Sequence, residues 1–188
     1  CQNLVTLIIA NNALCSFTGS IDSCQNLVTL IIANNALCSF TGSIDNCTRL
    51  VNFNIRGNTL CVITGSIDNC PGLIWFILTG NQLSSISGDI GKAIRCAYFN
   101  CDGNESPLTY VTQRRDWTSS LRLIHISSAS MTTAMVDNLF IDIDSSGVPA
   151  ANEKRINVNG LCAPVSSASL AARNSLVSKG YNLVYNNA

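Results

Sequence analysis

The stretch CQNLVTLIIANNALCSFTGSID fills residues 1–22 and returns unchanged as residues 24–45. The period is 23, and it continues: units 1–23, 24–46, 47–69 and 70–92 open with CQNL, CQNL, CTRL and CPGL. Apolar residues keep fixed places around an Asn inside each unit. The first has Leu4, Leu7, Ile9 and Leu14 around Asn12; the third has Leu50, Phe53, Ile55 and Leu60 around Asn58; the fourth has Leu73, Phe76, Leu78 and Leu83 around Asn81. Five positions recurring in register over four units mark an array of stacked units. Function in such an array belongs to the surface the units build together.

Within a unit, Leu7 and Ile9 alternate as in a short strand with one buried face. The turn that follows reads FTGSID in three units and ISGDIG in the fourth. Gly19, Gly42, Gly65 and Gly88 are expected to supply a positive φ there. Phe17 and Ile21 are expected to point back into the core.

The pattern L-x-x-L-x-L-x-x-N-x-L resembles the leucine-rich repeat, whose periods include this one. The FTGSID segments resemble the outer strand of its plant-like members. The resemblance implies an α/β solenoid of about eight units, with a curved parallel β-sheet on the concave side. Its convex side should be extended or 3-10 in the N-terminal part and helical in the C-terminal part. It also implies that the Asn of each unit bonds to neighbouring backbone as a ladder.

The period loosens after the fourth unit. Cys96, Phe99, Cys101 and Asn104 keep the frame in a fifth, degraded unit, so regular repeats cover 1–104. Residues 105–119 (ESPLTYVTQRRDWTS) read as an irregular surface loop, and 120–188 as longer repeats of the same solenoid. Leu121, Ile124 and Ile126 restart the pattern. MTTAMVDNLFIDI (131–143) has helical spacing, and SSASLAARNSLVSKG (166–180) reads as a helix with a Ser cap and Gly180 as its stop. Ile156-x-Val158 and Leu183-x-Tyr185 read as strands. NLFIDIDSSG and APVSSASLAARNSLVSKGYNL are similar to the ends of leucine-rich-repeat proteins of Bacteroidetes and their phages, which implies a virion or tail-associated protein.

Net charge is zero and 12% of residues are charged, which argues against nucleic acid as a partner. A hydrophobic content of 47% argues against disorder. The apolar run Leu73 to Leu78 is too short for membrane insertion. The opening at Cys1, without a leader, reads as a mature or truncated piece of something longer. Of ten cysteines, Cys1, Cys24, Cys47 and Cys70 share one repeat position and Cys15, Cys38 and Cys61 another. Ala93 and Ser84 continue these two rows, so both should be tight buried slots holding mostly free thiols. With no C-x-x-C and a single His, a zinc site is not expected, and no other cofactor is implied.

The outward positions of the inner strands form rows. One holds Thr6, Thr29, Asn52, Trp75, Tyr98 and Leu123; the next holds Ile8, Ile31, Asn54, Ile77, Asn100 and His125; a third holds Ala10, Ala33, Arg56, Thr79, Asp102 and Ser127. Trp75 and Tyr98, flanked by Arg56, Asn54, Asn100, Asp102, Ile77 and His125, suit a glycan or protein ligand. The apolar strip Ile8, Ile31 and Ile77 suits an interface, including one between copies of the chain. Asp142, Asp144, Ser146, Gly147 and Glu153 match the spacing of a calcium loop of the EF-hand kind. His125, Ser127, Ser128 and Asp102 lack the pocket that hydrolysis requires, so the chain reads as non-enzymatic. Asn46-Cys-Thr48 and Asn104-Glu-Ser106 are glycosylation sequons of a kind that Asn-rich repeats produce by chance. The expected role is a recognition or attachment module, extracellular, on a bacterial cell surface or a virion. The alternative is a structural filament or shell component.

Overall fold

The computed structural model describes residues 1–41, 44, 46–63, 70–86, 95–104, 108, 109, 117, 120–127, 129–150 and 154–187. Two parallel sheets run through the first four units. In each unit the L-x-L segment is extended and is followed by a shorter extended pair. This gives β1 (Thr6–Ile8), β2 (Ser16–Phe17), β3 (Thr29–Ile31), β4 (Ser39–Phe40), β5 (Asn52–Asn54), β6 (Val62–Ile63), β7 (Trp75–Ile77) and β8 (Ser85–Ile86). The frame continues as β9 (Tyr98–Asn100), β10 (Leu123–His125), β11 (Lys154–Val158) and β12 (Tyr181–Tyr185). Among the described residues the larger sheet has eight strands, in the order β1-β3-β5-β7-β9-β10-β11-β12, and the smaller has four, β2-β4-β6-β8. The fold is therefore α/β, with a large parallel sheet built one strand per repeat.

Register follows the period: Leu7 pairs with Leu30, Leu30 with Phe53, Phe53 with Phe76 and Phe76 with Phe99. The middle residue of each triplet faces inward, and Leu30, Phe53, Phe76 and Ile124 are all fully buried. The rings of Phe17, Phe40, Phe53, Phe76 and Phe99 follow one another at 5.3 to 5.7 Å between centroids. They form an aromatic spine between the two sheets. Phe17 and Ile21 lie on the core side, as expected, Phe17 only partly covered.

The repeat Asn joins each coil to the one before it. Asn81 Nδ2 donates to Ile55 O (3.1 Å) and Leu78 O (2.9 Å), and its Oδ1 accepts from Leu60 N–H (3.1 Å). Asn35, Asn58 and Asn104 make the equivalent bonds. A buried amide that satisfies three backbone groups at once costs little to bury and much to remove.

Among the described residues a positive φ recurs from coil to coil, and Gly19 is not where it falls. It lies three residues beyond the strand, at Asn11 (57°), Asn34 (54°), Gly57 (63°), Gly80 (65°) and Gly103 (65°). The chain reverses directly after the strand, so the left-handed residue is needed there; Gly19 has no positive φ. Gly42, Gly65 and Gly88 lie outside the described residues.

Beyond β10 the outer side of the coils becomes helical, as α1 (Thr133–Ser145) and α2 (Leu170–Ser178). Thr132 caps α1, its hydroxyl accepting from Met135 N–H. Ser166 caps a 3-10 turn (Ser167–Ser169) that leads into α2, and Gly180 follows at φ 87°. Asp137 of α1 fastens the two segments by accepting from the Ser166 N–H and from the hydroxyls of Ser166 and Ser169. Of the segment read as a loop (105–119), Leu108, Thr109 and Trp117 are described; Leu108 and Trp117 are buried and Thr109 is exposed. The remainder, including Arg114 and Arg115, lies outside the described residues.

The two cysteine rows differ. All ten thiols are free. Cys24, Cys47 and Cys70 are buried, as are Cys96, Cys101 and Cys162. Cys15, Cys38 and Cys61 are exposed, contrary to a buried slot, because they sit just ahead of the short strands of the second sheet with their side chains outward.

Candidate functional site

The outer face of the eight-stranded sheet collects the residues singled out from sequence. Strand alternation sends Trp75 and Ile77 of β7, Tyr98 and Asn100 of β9, and Asn52 and Asn54 of β5 to the same side. Register places Asn52 beside Trp75 and Trp75 beside Tyr98, with Asn54, Ile77 and Asn100 in the next row. The indole and phenol rings lie 3.8 Å apart and 3° from parallel. Adjacent strands are about 4.8 Å apart, so the two side chains lean together. Trp75 remains 40% exposed.

Since one indole face is spent on Tyr98, the other looks toward β5. There the row continues as Asn52, Thr29 and Thr6, all small and polar. The indole stands as a step above a low polar floor. Asn52 Oδ1 is buried with no hydrogen-bond partner among the described residues.

Farther along the face, Asp102 gathers two neighbours from the next coil. His125 Nδ1–H donates to Asp102 Oδ2 (3.2 Å), while Ser127 N–H (2.7 Å) and Ser127 Oγ (2.6 Å) donate to Oδ1. His125 Nε2 is buried without a partner among the described residues. Ser127 hydrogen-bonds to the carboxylate and not to the imidazole, so it is not placed as a nucleophile next to its base. Asp102 thus fixes the orientation of His125 between Asn100 and Asn157. Arg56, at the end of the β5 turn, is exposed, and its N–H donates to Asn54 Oδ1 (3.1 Å). The 23-residue frame set Asp102 one coil from His125 and Ser127, and the structure brings these three together across 23 and 25 residues of sequence.

The apolar strip is graded along the face: Ile8 is 59% exposed on the edge strand, while Ile31 and Ile77 are half-buried. The calcium spacing resolves differently. Asp142 and Asp144 lie in the last turns of α1, so the first positions of the expected loop are helix. Asp142 is buried, and Asp144 pairs with Lys179 (2.6 Å) and accepts from the Ser175 hydroxyl. Ser146 Oγ donates to Asp142 O and accepts from Trp117 N–H. Glu153 lies outside the described residues. Among the described residues no cluster of His, Cys, Asp and Glu is arranged to hold a metal ion. No helix among them is long and apolar enough to cross a membrane.

No protein-family model matches the chain, and a search of curated proteins finds no match.

Proposed function

We propose that the chain is a non-enzymatic recognition module of the leucine-rich-repeat kind, binding a glycan or protein ligand through the outer, concave face of its large sheet. The supporting observation is the Trp75–Tyr98 stack. Two rings leaning on each other lose little further freedom when a ligand arrives, and the outer indole face is open to an apolar sugar face or a partner side chain. Asn52 and Asn54 lie two residues apart on β5, and Asn100 lies two strands from Asn54 with Ile77 between them, so side-chain amides flank the stack. Amides beside an open indole suit the hydroxyl groups and apolar face of a sugar. A virion or a bacterial surface is proposed as its place on the resemblance read in NLFIDIDSSG and APVSSASLAARNSLVSKGYNL alone.

A structural role in a filament or shell is the second reading, favoured by the exposed Ile8 on an edge strand. The test is a screen of immobilised glycans and bacterial surface proteins with the wild-type chain and with Trp75→Ala. Binding that disappears in Trp75→Ala supports recognition through this face. Binding that survives the substitution places the ligand elsewhere.

A further inference from the structure

Three asparagines stand in one row of the large sheet's outer face, Asn54 on β5, Asn100 on β9 and Asn157 on β11. Each spends its carbonyl in the same way. Asn54 Oδ1 accepts from Arg56 N–H (3.1 Å), Asn100 Oδ1 from Asp102 N–H (3.0 Å) and Asn157 Oδ1 from Asn159 N–H (3.4 Å). A backbone N–H requires the oxygen of the amide, so these bonds fix which way each side chain is turned. The three Nδ2 groups have no partner among the described residues, and none of them is buried. What the row offers to a ligand is therefore N–H donors.

Acceptors on the same face are withdrawn. Asp102 is its one carboxylate among the described residues, and Oδ2 is taken by His125 and Oδ1 by Ser127. Asn52 Oδ1 and His125 Nε2 have no partner there, but both are closed off from solvent. The cations are left open. Arg155 of β11 and Arg56 beyond β5 are exposed, and neither has an ion pair among the described residues. A chain with zero net charge thus turns donors and positive charge to one face.

Register sets the spacing. Trp75, Tyr98, Leu123 and Arg155 follow one another across neighbouring strands. Arg155 lies two strands, about 10 Å, beyond Tyr98, and Asn157 stands two residues further along β11. We infer that this face takes an anionic glycan whose acid groups are carboxylates, as in a uronic acid. Trp75 meets the face of one sugar, and Arg155 receives the carboxylate of a neighbouring one. The inference rests on the recognition reading above and narrows its ligand class. A guanidinium matches a carboxylate with two parallel N–H bonds, and the Asn amides add donors for ring and hydroxyl oxygens. An acidic peptide would satisfy the donors but brings no apolar ring face to the open indole, which a sugar does.

The test titrates the full chain with oligogalacturonate and with its methyl ester, two ligands that differ in charge, at low and high salt. The acid should bind at least tenfold more tightly than the ester, and salt should narrow the gap. Arg155→Gln should weaken the acid about tenfold with no change in melting temperature, Arg155→Lys should recover part of that loss, and Trp75→Ala should weaken both ligands. Equal binding of acid and ester, lost in Trp75→Ala, would overturn the inference and leave the recognition reading standing. Tighter binding of an oligoglutamate peptide than of the acid glycan would do the same. Acid binding indifferent to both Arg155→Gln and Trp75→Ala would overturn the inference and move the ligand off this face. Failure of the acid form to bind would also overturn it, and the wider screen with Trp75→Ala then decides the recognition reading separately.

Discussion

The indole of Trp75 and the phenol of Tyr98 lie face to face at 3.8 Å, one coil apart, on a sheet face that also carries Asn52, Asn54 and Asn100 and the apolar Ile8, Ile31 and Ile77. The chain has two tryptophans, and the other, Trp117, is 4% exposed. Iodide should therefore quench one emission component and spare the other. Trp75→Phe should abolish the quenchable component. Trp75→Ala should cost about 1 kcal/mol of stability, the worth of an aromatic pair beyond its buried area, measured by urea unfolding. A loss several times larger would show that the stack holds the fold together and is not a free surface.

Asn81 satisfies Ile55 O, Leu78 O and Leu60 N–H from a position 4% exposed. Asn81→Ala strands all three in a dry interior. Denaturant unfolding should show a loss of about 3 kcal/mol or more, because each unmet buried group costs about 1–3 kcal/mol. Thr79→Ala, on the sheet's outer side, should change stability by less than about 0.5 kcal/mol.

Gly57 and Gly80 share the left-handed position of successive coils, at φ 63° and 65°. Alanine at Gly80 has only ordinary contacts, the nearest at 3.7 Å, so it should cost about 1–2 kcal/mol of backbone strain. A Cβ at Gly57 would lie 2.4 Å from Asn34 Oδ1. Gly57→Ala should therefore be the more destabilising, and Asn34→Gly in the same chain should remove the excess. Thermal unfolding of the three variants checks the order.

Burial alone would raise the Asp137 carboxyl. Hydrogen bonds from the Ser166 and Ser169 hydroxyls and the Ser166 N–H, with Arg173 nearby, outweigh it and hold the pKa below the ordinary 3.8. A carboxyl lowered on folding contributes stability above its unfolded pKa and loses it as the pH falls through the folded value. Stability should decline below about pH 4, and Asp137→Asn should flatten that decline while lowering stability at neutral pH. An unchanged acid limb in Asp137→Asn would assign the decline to other carboxylates.

Burial pushes the Cys96 thiol up to about 12 and raises Cys101 as well. The thiolate is the reactive form. At pH 8 the native chain should titrate four thiols quickly, Cys1, Cys15, Cys38 and Cys61, and the other six only on unfolding. A native count near ten would mean that the coils open readily.

The period of 23 made the inner strands legible, because one buried residue at every second place leaves few ways to arrange L-x-L. The Asn ladder was legible only through the resemblance, since an amide reveals its partners once two coils are stacked. In coil 1 the left-handed residue was expected at Gly19 and lies at Asn11. FTGSID carries the obvious glycine, yet the left-handed residue is Asn in coils 1 and 2 and Gly in coils 3 to 5. Asn shares that tolerance with Gly, and the mixed column hid it. The exposed cysteine row was missed for a related reason: a small residue replacing Cys fits a tight slot and an open edge equally well. At the candidate site, pattern gave the faces and the neighbours. The lean of Trp75 onto Tyr98 and the bonds from His125 and Ser127 to Asp102 depend on side-chain rotamers, which a repeat frame does not encode.

Recognition requires that the face bearing Trp75 and Tyr98 be free to meet a foreign ligand. Light scattering across a concentration series, with iodide quenching on the same samples, tests it most directly. A free face gives a monomer of 20.1 kDa throughout, with Trp75 quenchable at every concentration. Growth in mass accompanied by loss of that quenching would show the face buried between copies of the chain, and the recognition reading would give way to the structural one.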